Sequence, residues 1–501
     1  MVKKNDILDL VITGFGNEGE GIGHADGYTL FVAGAVPGDE IKARVLKANK
    51  NFGFAKIEEF VKVSPDRRKP ICPYFSKCGG CSLLHVDYEA EKKYKKEKVF
   101  DCVTRIGKIA PETFEMKPVI GLDECEGRPK HYRNKAQFPV RMADAANPYA
   151  IKAGFFAPRS HRIVEINECA IEAPVTSFLL DALKKFCYEY KVKAYDEETG
   201  RGIVRHLMTR TGAESGEVGV CLIINAKNLP HADEFVKAMQ DGIEAFNKAD
   251  VEGFSAFKNE LKLASVCVNI NMKQTNVIMG NKLVKLYGND YITDKIGNVS
   301  FHISPMSFFQ VNPIQTVKLY EKALSYAHLT GNEVVWDLYC GIGTISLFLA
   351  KKAREVYGVE IIPEAIENAR ENAKLNGITN AVFKVGAAEG VAEKLPKPDV
   401  IVVDPPRKGC DEKLIKTILK HAPERLVYVS CDPGTLARDL RLLCDVDNGG
   451  CYKVLEVQPV DQFAGSAHVE SVVLLSQQKA DDYLEVEIDL DELDATSAET
   501  K

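Results

Sequence analysis

The sequence predicts a multidomain chain in three folded parts. These are an OB-like β-barrel over residues 1–65, a central α+β domain over 66–300, and a doubly wound, Rossmann-like α/β domain over 301–479. Three observations carry this reading. Short alternating strands broken by glycine turns fill the first part. Three cysteines crowd into CPYFSKCGGC, Cys72 to Cys81, at the start of the second. After residue 300, strands and helices alternate, and a glycine turn marks one strand-to-helix crossover. A length of 501 residues also exceeds what a single core organises.

In order along the chain, DLVITGFG, YTLFVAGAV, DEIKARVLKA and FGFAKIEEFVKV read as the barrel strands. SPDRRKP punctuates the boundary that follows. The lysine-rich YEAEKKYKKEKVFDCVTRIG has helical periodicity and is expected to lie on the surface as an amphipathic helix. In the central part, EVGVCLIIN and SVCVNINM read as strands and HADEFVKAMQDGIEAF as a helix. No internal repeat is evident.

Charge is unevenly placed. The formal net charge is −6, but residues 481–501 hold nine acids and one lysine, or −8, which leaves about +2 for the rest. That acidic tail, 480–501, is expected to be disordered. Residues 41–70 hold nine Lys and Arg against three acids, a candidate polyanion surface. The first residues, MVKKNDILDL, lack the apolar core of a signal peptide, and no apolar run approaches membrane-spanning length. A cytoplasmic location is expected, in which 14 cysteines serve as small core residues, metal ligands or catalytic thiols rather than disulfides.

The C-x5-C-x2-C spacing of Cys72, Cys78 and Cys81 brings three sulfurs around one small volume, and Gly79 and Gly80 permit the tight turns this needs. Lys77 and Gly79 would be poor neighbours for three ordinary core cysteines. Soft thiolates so spaced select zinc or an iron–sulfur cluster, and either usually takes a fourth ligand. Spacing leaves Cys102, Cys125 and Cys169 all available.

In the last part, VVWDLYCGIGTISLFLA runs from an apolar strand through Gly341 and Gly343 into a helix, so backbone can approach a ligand at the sheet's carboxyl edge. The next strand, REVYGVE, ends in Glu360, where an acid can accept hydrogen bonds from two ribose hydroxyls; an adenosine-containing cofactor fits. PDVIVVDPPRKGC ends its strand at Asp404, and two prolines fix the exit direction. RLVYVSCDPGTLARD sets Cys431 just beyond another strand, where a nucleophilic thiol would be useful. Glu470 opens the terminal strand of HVESVVLL and by itself reads as a strand-end acid.

Together these motifs resemble the RNA uracil-5 methyltransferase family over nearly the whole chain. GFGNEGEGIGHADGYTLFVAGAVPGDE resembles a TRAM domain, an RNA-binding barrel. CPYFSKCGGC, HYRNKAQFPV and HRIVEINECAI resemble the family's iron–sulfur segment. The resemblance implies that Cys169 joins Cys72, Cys78 and Cys81 around a [4Fe-4S] cluster, with Cys102 and Cys125 outside it. SFFQVNP, DLYCGIGT, VYGVE, VVDPPRKG, SCDPGTLARD and HVESV match in order. It further implies S-adenosyl-L-methionine bound by Gln310, Tyr339, Glu360 and Asp404, with Cys431 as nucleophile and Glu470 as base. Two departures, GGCSLLH where glutamines are common and Asp432 where asparagine is frequent, leave the chemistry intact.

Carbon 5 of uracil is a poor nucleophile, and thiolate addition at carbon 6 turns the ring into an enolate that can attack a methyl sulfonium. A base must then take the carbon 5 proton so that the thiol can leave. The expected substrate is 23S ribosomal RNA, because the tRNA enzymes compared generally lack both cysteine cluster and TRAM barrel. No membrane and no obligate protein partner are expected. Three rivals stand beside this reading: the same reaction on tRNA, a non-catalytic RNA-binding protein with a redox-sensing cluster, and a radical enzyme, which four cysteine ligands would disfavour by closing the cluster.

Overall fold

The N-terminal strands close on themselves. β1 (Ile7–Phe15), β2 (Gly21–Ala25), β3 (Tyr28–Ala33), β4 (Glu40–Ala48) and β5 (Phe52–Lys62) form a closed barrel in the order β1-β2-β3-β5-β4. Alternation decides its inside, with Leu10, Ile12, Leu30, Val32 and Val45 buried together. The computed structural model describes residues 2–478 apart from 126, 145, 250–255, 258 and 259, so the expected disorder of the 480–501 tail lies outside the described residues.

Helix α1 (Tyr88–Asp101) follows, capped by Asp87, whose Oδ1 accepts the Glu89 backbone N–H at 3.0 Å. It is not the surface helix its lysines suggested. Tyr88, Glu91, Tyr94, Lys95 and Val99 are all buried, because α1 is wedged between the barrel, the cysteine segment and the C-terminal part. Lys95 Nζ donates to Glu91 Oε1 at 2.7 Å, to Asp461 Oδ1 at 2.5 Å and to the Phe463 carbonyl at 3.2 Å. Arg128 pairs with the other Glu91 oxygen, and Tyr88 Oη donates to Asp461 Oδ2 at 2.8 Å.

The central sheet has the order β13-β12-β11-β10-β7-β8-β9. Its strands are β7 (Lys135–Asp144), β8 (Asn147–Phe156), β9 (Ile163–Glu165), β10 (Val204–Thr211), β11 (Glu217–Ile224), β12 (Lys262–Ile270) and β13 (Lys282–Gly288), after a short β6 (Glu115–Met116) that belongs elsewhere. Helices α2 (Val175–Glu189) and α3 (Ala232–Lys248) bury Leu179, Leu183, Phe235 and Met239 against one face, beside Val218, Leu222 and Val266. A hairpin, β14 (Ile292–Ile296) and β15 (Val299–Ile303), then sends Ile292 and Phe301 into the C-terminal core.

That last core surrounds an eight-stranded sheet in the order β18-β17-β16-β19-β20-β22-β21-β6. Strands β16 (Val334–Leu338), β17 (Glu355–Glu360), β18 (Ala381–Val385), β19 (Val400–Val403) and β20 (Arg425–Ser430) run parallel, as the alternation with helices requires. The helices are α4 (Pro313–Ala327), α5 (Thr344–Ala350), α6 (Pro363–Leu375), α7 (Ala388–Ala392), α8 (Glu412–His421) and α9 (Pro433–Cys444). The far edge departs from a purely parallel sheet. β21 (Tyr452–Val460) and β22 (Glu470–Gln477) are antiparallel, and β6 pairs beside β21. Strand order reverses at β16, which opens the ligand crevice at its carboxyl end and that of β19. Among the described residues, no helix is long and apolar enough to cross a membrane.

Removing the Lys95 charge leaves two buried carboxylates short of a cation. Lys95→Met should lower stability by about 3 kcal/mol or more in the unfolding transition that reports α1. Lys93→Met, whose side chain is 78% exposed, should stay within about 0.5 kcal/mol in a urea titration.

Candidate active site

The crevice is built from strand ends. Tyr339 follows β16 in the left-handed region, φ 73°, as do Gly341 at φ 54° and Gly343 at φ 83°. A tyrosine held there costs about 1–3 kcal/mol, the kind of strain that a tight ligand-facing turn imposes. The Tyr339 and Cys340 amides are tied to the Val359 carbonyl, which locks this turn to the neighbouring strand. Glu360 closes β17, and its carboxylate accepts the Gly341 amide at 3.3 Å and the Ile362 amide at 3.0 Å. Beneath them lies Asp337, fully buried. One of its oxygens accepts the Ser346 hydroxyl, the other has no partner, and burial pushes its pKa up to about 7.

Gln310, in the segment between β15 and α4, is 5% exposed. Its carbonyl accepts from Asn134 Nδ2 at 3.1 Å and its Oε1 from Gln462 Nε2 at 3.3 Å. It thus joins the central sheet to the segment before β22. Asp404 leaves β19 immediately before the two prolines, and burial with the Asp337 carboxylate pushes its pKa up to about 7.

Cys431 sits between β20 and α9, half-buried, where Asp432 caps the helix by accepting the Thr435 amide at 2.9 Å. Glu470 opens β22 at 3% exposure. The two sense each other. Burial, then the Glu470 and Asp404 carboxylates, push the Cys431 thiol up to about 12, while the Arg407 guanidinium opposes the shift. Burial and Asp404 push Glu470 up to about 8, again against Arg407. The arrangement therefore holds a thiol, a carboxyl of raised basicity and one cation at a single strand-end site. Arg407 was not singled out in the sequence. Its signal was available as a basic residue directly after the Asp-Pro-Pro turn.

Cys72, Cys78, Cys81 and Cys169 line one cavity of about 270 Å³, which Arg407 and His468 line as well. Cys125 lines a separate cavity, and Cys102 lies in the π-helical turn after α1. No two cysteines are joined in a disulfide among the described residues. Among the described residues, no three Cys, His, Asp or Glu side chains are arranged to hold a single metal ion. The cavity is held against the chain leading to Glu470. The Ser82 and Leu83 amides donate to the Gly465 carbonyl at 3.0 and 2.8 Å, and Ser82 Oγ accepts the Ala467 amide at 3.1 Å. Lys98 Nζ bridges the Ala467 carbonyl, 2.9 Å, to the barrel's Asn17 carbonyl, 2.8 Å.

Comparison with known proteins agrees with this geometry. Residues 254–478 match the family model for tRNA (uracil-5-)-methyltransferase, and residues 2–57 match the TRAM domain. An uncharacterised RNA methyltransferase of Halalkalibacterium halodurans is 45% identical, with 95% of this chain and 98% of that protein covered. One of Clostridium acetobutylicum is 43% identical, with the same coverage. The crystal structure of Pyrococcus abyssi tRNA (uracil-54, C5)-methyltransferase with S-adenosyl-L-homocysteine superposes with a TM-score of 0.71 at 27% identity, covering 93% of this chain and 99% of that one. A TRAM barrel followed by a strand-end crevice of this kind, carried through relatives at this identity over nearly the full length, places the chain in the RNA uracil-5 methyltransferase family, enzymes that depend on S-adenosylmethionine.

Proposed function

We propose that the chain methylates carbon 5 of a uridine in 23S ribosomal RNA through Cys431 and Glu470. The observation that carries the mechanism is the shared environment of these two groups with Asp404 and Arg407 at the ends of β19, β20 and β22. Cys431, as thiolate, adds to carbon 6 of the uracil, and the ring electrons pass to carbon 5 and the carbonyl oxygen. Carbon 5 then takes the methyl group that S-adenosylmethionine would supply as an electrophilic sulfonium, whose sulfur leaves as the neutral thioether of S-adenosylhomocysteine. Glu470 then takes the carbon 5 proton, the carbon 5–carbon 6 double bond re-forms, and the Cys431 sulfur leaves. A carboxyl raised to about 8 is a far stronger base than an exposed glutamate, which suits it to a weakly acidic carbon proton. Arg407 opposes the shifts on both groups, which favours the thiolate needed for the first step. We assign the cofactor to Gln310, Tyr339, Glu360 and Asp404, the last three at the carboxyl ends of β16, β17 and β19, where the strand order switches. The target base must be unstacked to reach Cys431.

The four cysteines on one cavity suit a [4Fe-4S] cluster, since a cubane holds its thiolates farther apart than a single ion does. On this reading Cys72, Cys78, Cys81 and Cys169 hold it, and it would tie the cysteine segment to the chain before Glu470. Ribosomal RNA rests here on the thiol set alone, because the P. abyssi tRNA enzyme superposes over 93% of this chain and the barrel therefore does not separate the two substrates. A tRNA substrate is the second reading, motivated by the P. abyssi neighbour, whose substrate is tRNA.

Labelled methyl transfer to 23S ribosomal RNA fragments and to tRNA transcripts tests the substrate; incorporation into tRNA alone would overturn the ribosomal assignment. Cys431→Ser should abolish transfer to either RNA. Glu470→Gln should leave methylated RNA attached to the protein on a denaturing gel. In the wild type, release of that adduct should slow about tenfold per pH unit below about 8, because the base form is lost as pH falls through the raised value. For the cluster, anaerobically purified protein should contain about four iron atoms per chain. Cys169→Ser should lose most of them, whereas Cys125→Ser and Cys102→Ser should keep them. Equal iron in all three would sink the ligand assignment.

A further inference from the structure

The outer wall of the barrel carries three aromatic rings that its fold does not require. Leu30, Val32 and Ala55 point into the barrel core, so alternation turns Phe31 on β3 and Phe52 and Phe54 on β5 outward. Phe31 and Phe54 are register partners across the parallel pair. The three ring centroids stand 5.8–5.9 Å apart, with Phe52 edge-on to both others. Phe52 is 39% exposed, and Phe31 and Phe54 are half-buried. A cation lies over one of these rings. The Arg159 guanidinium lies 5.3 Å from the Phe54 ring centroid, and its side chain is 74% exposed.

Arg159 belongs to the turn between β8 and β9, and this places the cluster in context. Phe156, at the head of that turn, accepts the Gly79 amide at 3.0 Å, and Gly79 lies between Cys78 and Cys81. The cysteine cavity continues from there to Arg407 and His468, beside Cys431 and Glu470. Contacts thus link the barrel rings to the Arg159 turn, and that turn to the cysteine loop and its cavity. The same segments carry exposed cations: Lys47 and Lys50 on the barrel, Lys77 in the cysteine loop, and Arg159 and Arg162 in the turn. The carboxylate paired with this set is Glu20, 3.6 Å from Arg159.

Aromatic faces interleaved with cations are how proteins hold unpaired nucleobases while tracking a phosphate backbone. A protein partner would need a broader apolar surface with fewer surrounding charges. We propose that Phe31, Phe52 and Phe54, with Arg159, form a stacking site for an unpaired nucleobase of the RNA substrate, away from the base that is methylated. This rests on the RNA uracil-5 methyltransferase reading and adds to it a single-stranded segment held by the barrel.

The test uses the full chain and a fluorescein-labelled mixed-sequence RNA of about a dozen nucleotides, single-stranded or annealed to its complement, read by anisotropy. Phe52→Ala should weaken single-strand binding about five- to hundredfold and leave duplex binding within about twofold. Phe52→Trp should bind within about twofold of wild type, whereas Phe52→Leu, which keeps apolar area without a π-face, should remain weak. Arg159→Gln should reduce the slope of log affinity against log salt by about one. Unchanged single-strand affinity in Phe52→Ala, equal losses on single strand and duplex, or full rescue by leucine would each overturn the stacking site. Methyl transfer by the wild type is measured alongside. Its absence would count against the function proposed above, whereas its presence with unaltered Phe52→Ala binding would remove the stacking site alone.

Discussion

An ammonium group cut off from water stays charged only where carboxylates close around it, and for Lys95 these are Glu91 and Asp461. Burial drives its pKa down, yet the two carboxylates more than offset this and hold it above an ordinary lysine. The consequence reaches beyond one ion pair. Asp461 begins the segment that ends at Glu470, and the polar backbone of that segment is held from outside its own sheet. The Phe463 carbonyl is held by Lys95, the Ala464 carbonyl by Tyr132 Oη at 2.7 Å, and the Gly465 amide by Glu91 at 2.7 Å. Helix α1, the cysteine segment and the barrel together determine where β22 starts. The placement of Glu470 is thus a tertiary property of the whole chain.

That dependence explains why the site can carry strongly shifted groups. The carboxyl pushed up to about 8 and the thiol pushed up to about 12 owe their shifts first to burial, which loose strand ends would undo by admitting water. Here Asp404 is fixed by two prolines, Cys431 by a capped helix start, and Glu470 by the clamp described above. Arg407 supplies the compensating charge on the loop after Asp404. On the proposed mechanism one cation then serves two steps, favouring the thiolate at the start and the ionised carboxylate at the end. The strained Tyr339 turn fits the same pattern, since the Val359 carbonyl over-determines its backbone.

Much of this was legible locally. Strand alternation predicted the barrel, the glycine turn and the alternation with helices predicted the parallel sheet, and the apolar runs placed Glu360 at the end of one strand and Asp404 and Cys431 directly after two others. Each of those signals lies within about a dozen residues, the range over which backbone periodicity and turn chemistry act. What stayed hidden depends on residues far apart in sequence. A run of lysines in a helix reads as solvated, and nothing near Lys95 announces Asp461, 366 positions later. The pairing of β6 with β21 and the antiparallel edge are long-range in the same sense. Glu470 by itself looked like an exposed strand-end acid, and its burial at 3% exposure follows from the chain packed over it. The outward phenylalanines were visible as letters, but their convergence across β3 and β5 required the barrel to close.

The central claim is that the sulfur of Cys431 bonds to the uracil ring at a site where Glu470 must finish the reaction. Its most direct test uses RNA carrying 5-fluorouridine, in which carbon 5 has no proton to surrender, so that the thiol cannot leave after methylation. Peptide mapping of the trapped complex should place the RNA on the peptide containing Cys431, and the complex should require S-adenosylmethionine for its persistence on a denaturing gel. A bond on any other cysteine, or turnover of the fluorinated RNA without a trapped complex, would contradict the account.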